Sequence, residues 1–264
     1  MKTLIALLLV SFYSVIYVDA QEIITPPLKK DIPFFAGETL TYQVRYGILA
    51  GGTTTILLTD EVYDNNQVFH AKAIAQSTGI ANIIYGVKDS YESWFDKVTT
   101  MPFKQVRDIR EGSYTLHNEV TYNRTNNTVN SKLSGRHTVP ENIFDLCSVF
   151  YYIRRVDFSK LNEGDVVFVN MFFGDEVFPA HLRYLGKETI RCKNGKTRCI
   201  KISPLVEVGR MFKNQDDLTI WYTDDNKCLP VLVRMEIRIA GAVHLKLIKH
   251  VNSSDSLLVQ RDNL

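Results

Sequence analysis

PVLVRMEIRIAGAVHLKLI, residues 230–248, decides the fold. Val231, Val233, Met235, Ile237 and Ile239 alternate with Leu232, Arg234, Glu236 and Arg238. Successive side chains of a strand point to opposite faces, so this alternation predicts one buried face and one wet face. Ala240-Gly241 supplies a turn. Val243, Leu245 and Leu247 then carry the apolar set onward against His244 and Lys246. Two such runs joined by a tight turn read as antiparallel strands with one face solvated.

The same pattern extends toward the N-terminus. ETLTYQVRY (38–46), TTTILLT (53–59) and QVFHAKAIAQS (67–77) are strand-like, with turns at 50–52 and 64–66. YESWF and KQVRDIREGSYTLHNEVTY continue as strands, and strands resume at Asp165. TGIANIIYG (78–86) is a short helix or a buried loop. One longer helix is predicted, ENIFDLCSVFYYIRR (141–155), following Pro140. Ile143, Leu146, Cys147, Phe150, Tyr151 and Arg154 share one face at helical spacing. Its acidic residues lie early and Arg154 and Arg155 late, as the helix dipole favours. The fold class is mainly β: antiparallel curved sheets in two units with one main connecting helix.

Two stretches resemble each other, 91–123 and 218–252. Each holds a Trp-aromatic pair, a polar turn, a Pro, a strand, a Gly and a strand ending in Asn. Trp94 precedes Trp221 by 127 residues, Pro102 precedes Pro230 by 128, and Gly112 precedes Gly241 by 129. Lys72 and Lys201 stand 129 apart. A nearly constant offset over so long a span predicts an internal duplication, with repeat units that stack on each other or on the helix. The expected division is a signal peptide at 1–20, an extended lead-in at 21–33 and a first β unit at 34–136. A linker and helix at 137–160, a second β unit at 161–252 and a tail at 253–264 complete it.

The chain has 264 residues and a formal net charge of +2, which argues against a nucleic-acid partner or a strongly charged substrate. Lys2, the apolar run from Leu4 to Val18 and small residues at Val18 and Ala20 read as a secretory signal cut after Ala20. The mature chain is expected to be exported, into the periplasm or the extracellular space, with no integral membrane segment. Cysteines there meet an oxidising compartment. Cys192 and Cys199 flank Asn194-Gly195, a strong hairpin signal. With those two residues as the turn, the cysteines share a face on a diagonal about 7–8 Å long, slightly long for a bridge. A four-residue loop would set them opposite each other. A Cys192–Cys199 disulfide and two buried thiols both fit. Cys147, on the apolar helix face, reads as a buried thiol.

No Gly-x-Ser-x-Gly elbow, His-Glu-x-x-His, phosphate loop or dinucleotide fingerprint is present. Asp224-Asp225-Asn226 lacks the spacing of a calcium loop and reads as a turn. No metal, cofactor or catalytic residue is assigned. One polar cluster falls on strands expected to be neighbours, KDSYESWFD (88–96) and VRDIREGSY (106–114). Tyr91, Glu92, Arg107, Arg110 and Glu111 are its candidate ligand-binding residues, against the alternative of a solvated, ion-paired face.

FAGETLTYQVRYGILAGG, VKDSYESWFD, IREGSY, FDLCSVFYYIRR, YLGKETI, CIKISPLVEVGRMF and LTIWYTDDNKCLPVLVRMEI together resemble the exported domain-of-unknown-function family 3108 of Gram-negative envelopes. The resemblance covers nearly all of the mature chain. It implies a β-rich periplasmic protein with no assigned activity. Members look similar to lipoprotein-carrier folds, a likeness of fold alone. The resulting expectation is a non-catalytic binding module for an apolar or lipid-like ligand between curved sheet and helix. An envelope scaffold that binds a protein partner and a hydrolytic enzyme are the alternatives.

Overall fold

The computed structural model describes residues 26–252, apart from 48, 85, 194, 206–213, 215, 216 and 238–240. The expected signal peptide, the start of the lead-in and the C-terminal tail lie outside the described residues. Among the described residues, fifteen strands form one sheet. Its first part comprises β1 (Glu38–Tyr46), β2 (Leu49–Tyr63), β3 (Asn66–Ser77), β4 (Lys88–Asp96), β5 (Pro102–Glu111), β6 (Tyr114–Asn123), β7 (Thr128–Ser131) and β8 (Gly135–Thr138). The second comprises β9 (Ile143–Phe144), β10 (Val166–Phe173), β11 (Glu176–Cys192), β12 (Gly195–Leu205), β13 (Leu218–Thr223), β14 (Pro230–Ile237) and β15 (Gly241–Asn252). Among the described residues two α-helices interrupt them, α1 (Gly79–Ile84) and α2 (Leu146–Arg155), with a short 3-10 turn at Phe158–Lys160.

The order across the sheet is β8 through β1, then β15 down to β9. All neighbours are antiparallel except β9, which runs parallel to β10. The two halves of the chain therefore meet where the first strand pairs with the last, Tyr42 opposite Leu247 and Val44 opposite Leu245. Away from this seam the sheet curls until its far ends touch through side chains. Phe172 of β10 packs with Val120, Tyr122 and Val129 of β6 and β7. Gln105 donates to the carbonyl of Phe172, and Asn118 and Ser131 both donate to Asp175 at 3.0 and 2.6 Å. The result is barrel-like, and among the described residues no backbone ladder joins its ends.

The main helix begins five residues later than expected. Asp145 caps it: its carboxylate accepts from the Ser148 N–H at 2.7 Å, and Ser148 Oγ accepts from the Asp145 N–H at 2.9 Å. That reciprocal cap fixes the first turn. Ile143 and Phe144 are instead drawn into the sheet, opposite Asn170 and Met171. The described part of the lead-in is held against the body of the fold. Leu28 bridges Val156, and the carbonyl of Pro27 accepts from the Asp157 N–H at 2.7 Å, pinning it past the end of α2.

The turn between β11 and β12 also falls one residue earlier than the Asn194-Gly195 reading. Gly195 belongs to β12 and pairs with Cys192, while Cys199 pairs with Glu188. The ladder does not set the two cysteines opposite each other, and the candidate Cys192–Cys199 bridge is not formed. Cys147, Cys192, Cys199 and Cys228 are all free thiols.

Candidate functional site

α2 stands between the two halves of the sheet and serves both. Val149 and Ile153 pack with Val167, Val169, Leu182, Ile200 and Tyr222 of the second half. Cys147 and Tyr151 pack with Leu58, Phe69, Ala71 and Phe95 of the first. Helical periodicity sends these two pairs to opposite walls. The C-terminal end is anchored electrostatically. Arg154, wholly buried, grips Glu38 with two hydrogen bonds of 2.6 and 2.9 Å, and Arg155 donates to the carbonyl of Val98. Burial alone would raise the Glu38 carboxyl, but Arg154 and His250 outweigh it and hold it below the ordinary range. The N-terminal end is anchored by Asp145, whose second oxygen accepts from Ser93 Oγ of β4 at 2.5 Å. Burial pushes the Asp145 carboxyl up to about 6.

A helix so fixed leaves space beside it. A cavity of about 380 Å³ lies between α2, β2–β4 and β10–β13, walled by Leu146, Val149, Phe150, Ile153, Met171 and Ile220, among others. It exists because several facing positions carry short side chains, Thr54, Ala73, Ala75 and Ala180, too small to span the gap. Native cores close such gaps, so a hollow of this size with an apolar lining is a candidate ligand site. Leu146 and Phe178, 40% and 37% exposed, mark where it reaches the surface. None of its described lining residues is charged. A second hollow, of about 410 Å³, is bounded by Tyr63, Phe103, Asn123, Asn130 and Arg136 and offers mixed polar walls.

Strand alternation divides the predicted polar cluster. Glu92 faces out, with Glu92 Oε2 3.0 Å from His70 Nε2 and Lys72 Nζ 2.9 Å from its other oxygen. That outer group also holds Trp94, which stacks on His70 at 4.1 Å and donates its indole N–H to Glu61 at 2.8 Å. Arg110 also faces out and pairs with Asp108 at 3.2 Å. Tyr91, Arg107 and Glu111 fall on the inner parity instead. Tyr91 lines the cavity and sits opposite Arg107 in the ladder. Burial, with Asp89 adding to it, pushes the Tyr91 phenol up to about 12. Burial and the neighbouring Asp89 likewise raise the Glu111 carboxyl.

The chemistry on offer is containment. Cys147 lies against the cavity, but burial drives its thiol well above the ordinary range, the reverse of an activated thiolate. Among the described residues no group of three His, Cys, Asp or Glu side chains is placed to hold a metal ion. Among them, too, no helix is long and apolar enough to cross a membrane.

The family model for DUF3108, a protein family of unknown function, matches residues 41–248, and the chain belongs to that family. No curated protein matches it significantly in sequence. Among solved structures it resembles a β-barrel-like protein of the DUF1849 domain of unknown function from Brucella abortus. The TM-score is 0.53 at 7% identity, over 82% of this chain and 97% of that one. A DUF1089-family protein from Pseudomonas aeruginosa aligns with a TM-score of 0.37 and 10% identity, over 67% of this chain and 87% of that one. The Brucella likeness extends to the fold alone.

Proposed function

We propose that this member of DUF3108 is an exported, non-catalytic binding module of a Gram-negative envelope that holds an apolar, lipid-like ligand between its curved sheet and α2. The cavity carries the proposal: about 380 Å³, uncharged, open at one end and set between walls that the helix holds apart. Small-molecule sites are concave, mostly apolar and roughly 300–1,000 Å³.

A tandem origin for the walls fits the same picture. β1–β6 and β10–β15 run across the sheet in the same sense, one after the other. Trp94 donates to Glu61 and Trp221 donates to Glu188, both pairs 127 residues apart in sequence. By pairing, Lys201 stands opposite Trp221 as His70 stands opposite Trp94, so His70 and not Lys72 is its counterpart. Each unit supplies one wall of the cavity.

Native mass spectrometry of protein gently extracted from its source cells tests the binding reading. An adduct of lipid mass, released by organic solvent, is expected. A bare chain, together with failure to take up any apolar probe, would contradict it.

A partner-binding role has its own supporting feature. Ile80 and Ile83 of α1 are 75% and 84% exposed, an apolar pair with no cover. Pull-down from envelope extracts, with Ile80→Ser/Ile83→Ser protein as the control, separates the two.

A further inference from the structure

We propose that the ligand is a single-chain anionic amphiphile, its chain in the cavity and its charged head against Arg107 at the lip. This deepens the apolar-ligand reading and rests on it. With no charge among its described lining residues, the cavity would leave a charged head unsolvated and unpaired, at a high cost. The head must therefore stay at the mouth. The volume is sufficient for one chain: at roughly 30 Å³ per water-sized group, the space holds at least about a dozen such groups.

Arg107 stands where the head would emerge. It is the ladder partner of Tyr91, which lines the cavity. Its guanidinium lies 5.1 Å from the ring centre of Phe173, two residues beyond the cavity-lining Met171 on the same strand face. Phe173 is itself solvent-exposed, which places this stack at the rim. Arg107 is half-buried, stacks against that ring, and its charge also reaches Asp175, Tyr91 and Tyr122.

The neighbouring carboxylates accept hydrogen bonds from other groups. Asp89 accepts from the Arg110 N–H at 3.0 Å and lies close enough to Glu111 to raise its carboxyl. Asp175, whose carboxyl feels the Arg107 charge, accepts from Ser131 and Asn118. A planar guanidinium whose N–H groups make no hydrogen bond among the described residues, at the edge of an apolar hollow, suits a carboxylate or phosphate head. The Tyr91 hydroxyl, protonated at neutral pH, supplies a further donor beside it.

The test is displacement of N-phenyl-1-naphthylamine from the full chain by dodecanoate, methyl dodecanoate and dodecyltrimethylammonium. Dodecanoate should compete about tenfold more tightly than its ester, the scale of one charge-assisted contact. Arg107→Met should bring the acid down to the ester's affinity, and Arg107→Lys should retain part of the preference. Equal affinity of acid and ester, preference for the ammonium, or a preference that survives Arg107→Met would overturn the anionic head while leaving the apolar cavity standing. If Arg107→Met loses the ester as well, Arg107→Lys decides: an acid preference there supports the proposal, and its loss overturns it. Failure of the naphthylamine itself to bind the unaltered protein would remove the cavity reading, and this one with it.

Discussion

Arg154 and Glu38 face each other across the interior as a two-armed ion pair, 2.6 and 2.9 Å long, with both side chains shut away from solvent. The pair ties the last turn of α2 to the first residue of β1, the strand that also joins the two halves of the sheet. Further N–H bonds run from Arg154 to the carbonyls of Pro33 and Lys227, at 3.3 and 3.2 Å. Arg154→Met would leave Glu38 buried without its guanidinium partner, with only His250 beside it. A loss of about 3–5 kcal/mol in unfolding free energy is expected from urea titration. A loss under about 1 kcal/mol would show that the pair does not anchor the helix.

Asp145 and Glu38 shift in opposite directions, and their effects on stability oppose each other. Asp145 titrates near 6 in the fold, whereas an unfolded aspartate titrates near about 3.9. Between about pH 4 and 6 the folded chain holds a proton that the unfolded chain has released. Its stabilisation is present below that window and lost as pH rises through it. Glu38, held low, stabilises above the ordinary glutamate range and loses that contribution as pH falls through its depressed value. Asp145→Asn keeps a capping oxygen. It should remove a decline of up to about 3 kcal/mol between pH 4 and 6, measured from unfolding midpoints at each pH. An unchanged slope in the variant would contradict this.

Gly52 passes close to a neighbouring strand. A Cβ placed there would lie 2.3 Å from the carbonyl oxygen of Gln76 and 3.1 Å from its carbonyl carbon, both backbone atoms. Neither can swing aside without moving β3. Gly52→Ala should cost about 1–3 kcal/mol, whereas Gly51→Ala, whose nearest neighbour lies at 3.9 Å, should be mild. Parallel urea unfolding of the two variants distinguishes them.

The Trp94–Glu61 and Trp221–Glu188 contacts give the repeat reading a measurable consequence. Glu61→Ala and Glu188→Ala each remove the acceptor of an indole N–H. Both should destabilise, each by about 1 kcal/mol and to a similar degree. A large cost at one site and none at the other would weaken the case for equivalent roles.

The strands were legible because each half-buried run advertises its inner face through alternation, as from Val231 to Leu247. The start of α2 was less so. Ile143 and Phe144 extend the apolar run of the helix, and only the parallel pairing with Asn170 and Met171 takes them into the sheet. The polar cluster was placed correctly on neighbouring strands. Period two then sends Glu92 and Arg110 outward, and leaves Tyr91, Arg107 and Glu111 on the inner parity. The cavity was not foreseeable residue by residue. It arises because Thr54, Ala73 and Ala75 meet Ala180 and Leu182 from more than 100 residues away, and alternation fixes a side chain's face without revealing that two walls fall short of each other. A signal was present in the row of small inner residues Ala71, Ala73 and Ala75 on β3.

Filling the space between those walls is the most direct trial of the binding function. Ala180→Trp places a large ring in the cavity, and N-phenyl-1-naphthylamine fluorescence reports apolar uptake. The unaltered chain should show saturable, one-site uptake, and the variant should lose it while remaining folded by circular dichroism. No saturable uptake by the unaltered chain, or undiminished uptake by the folded variant, would contradict a ligand held between sheet and helix.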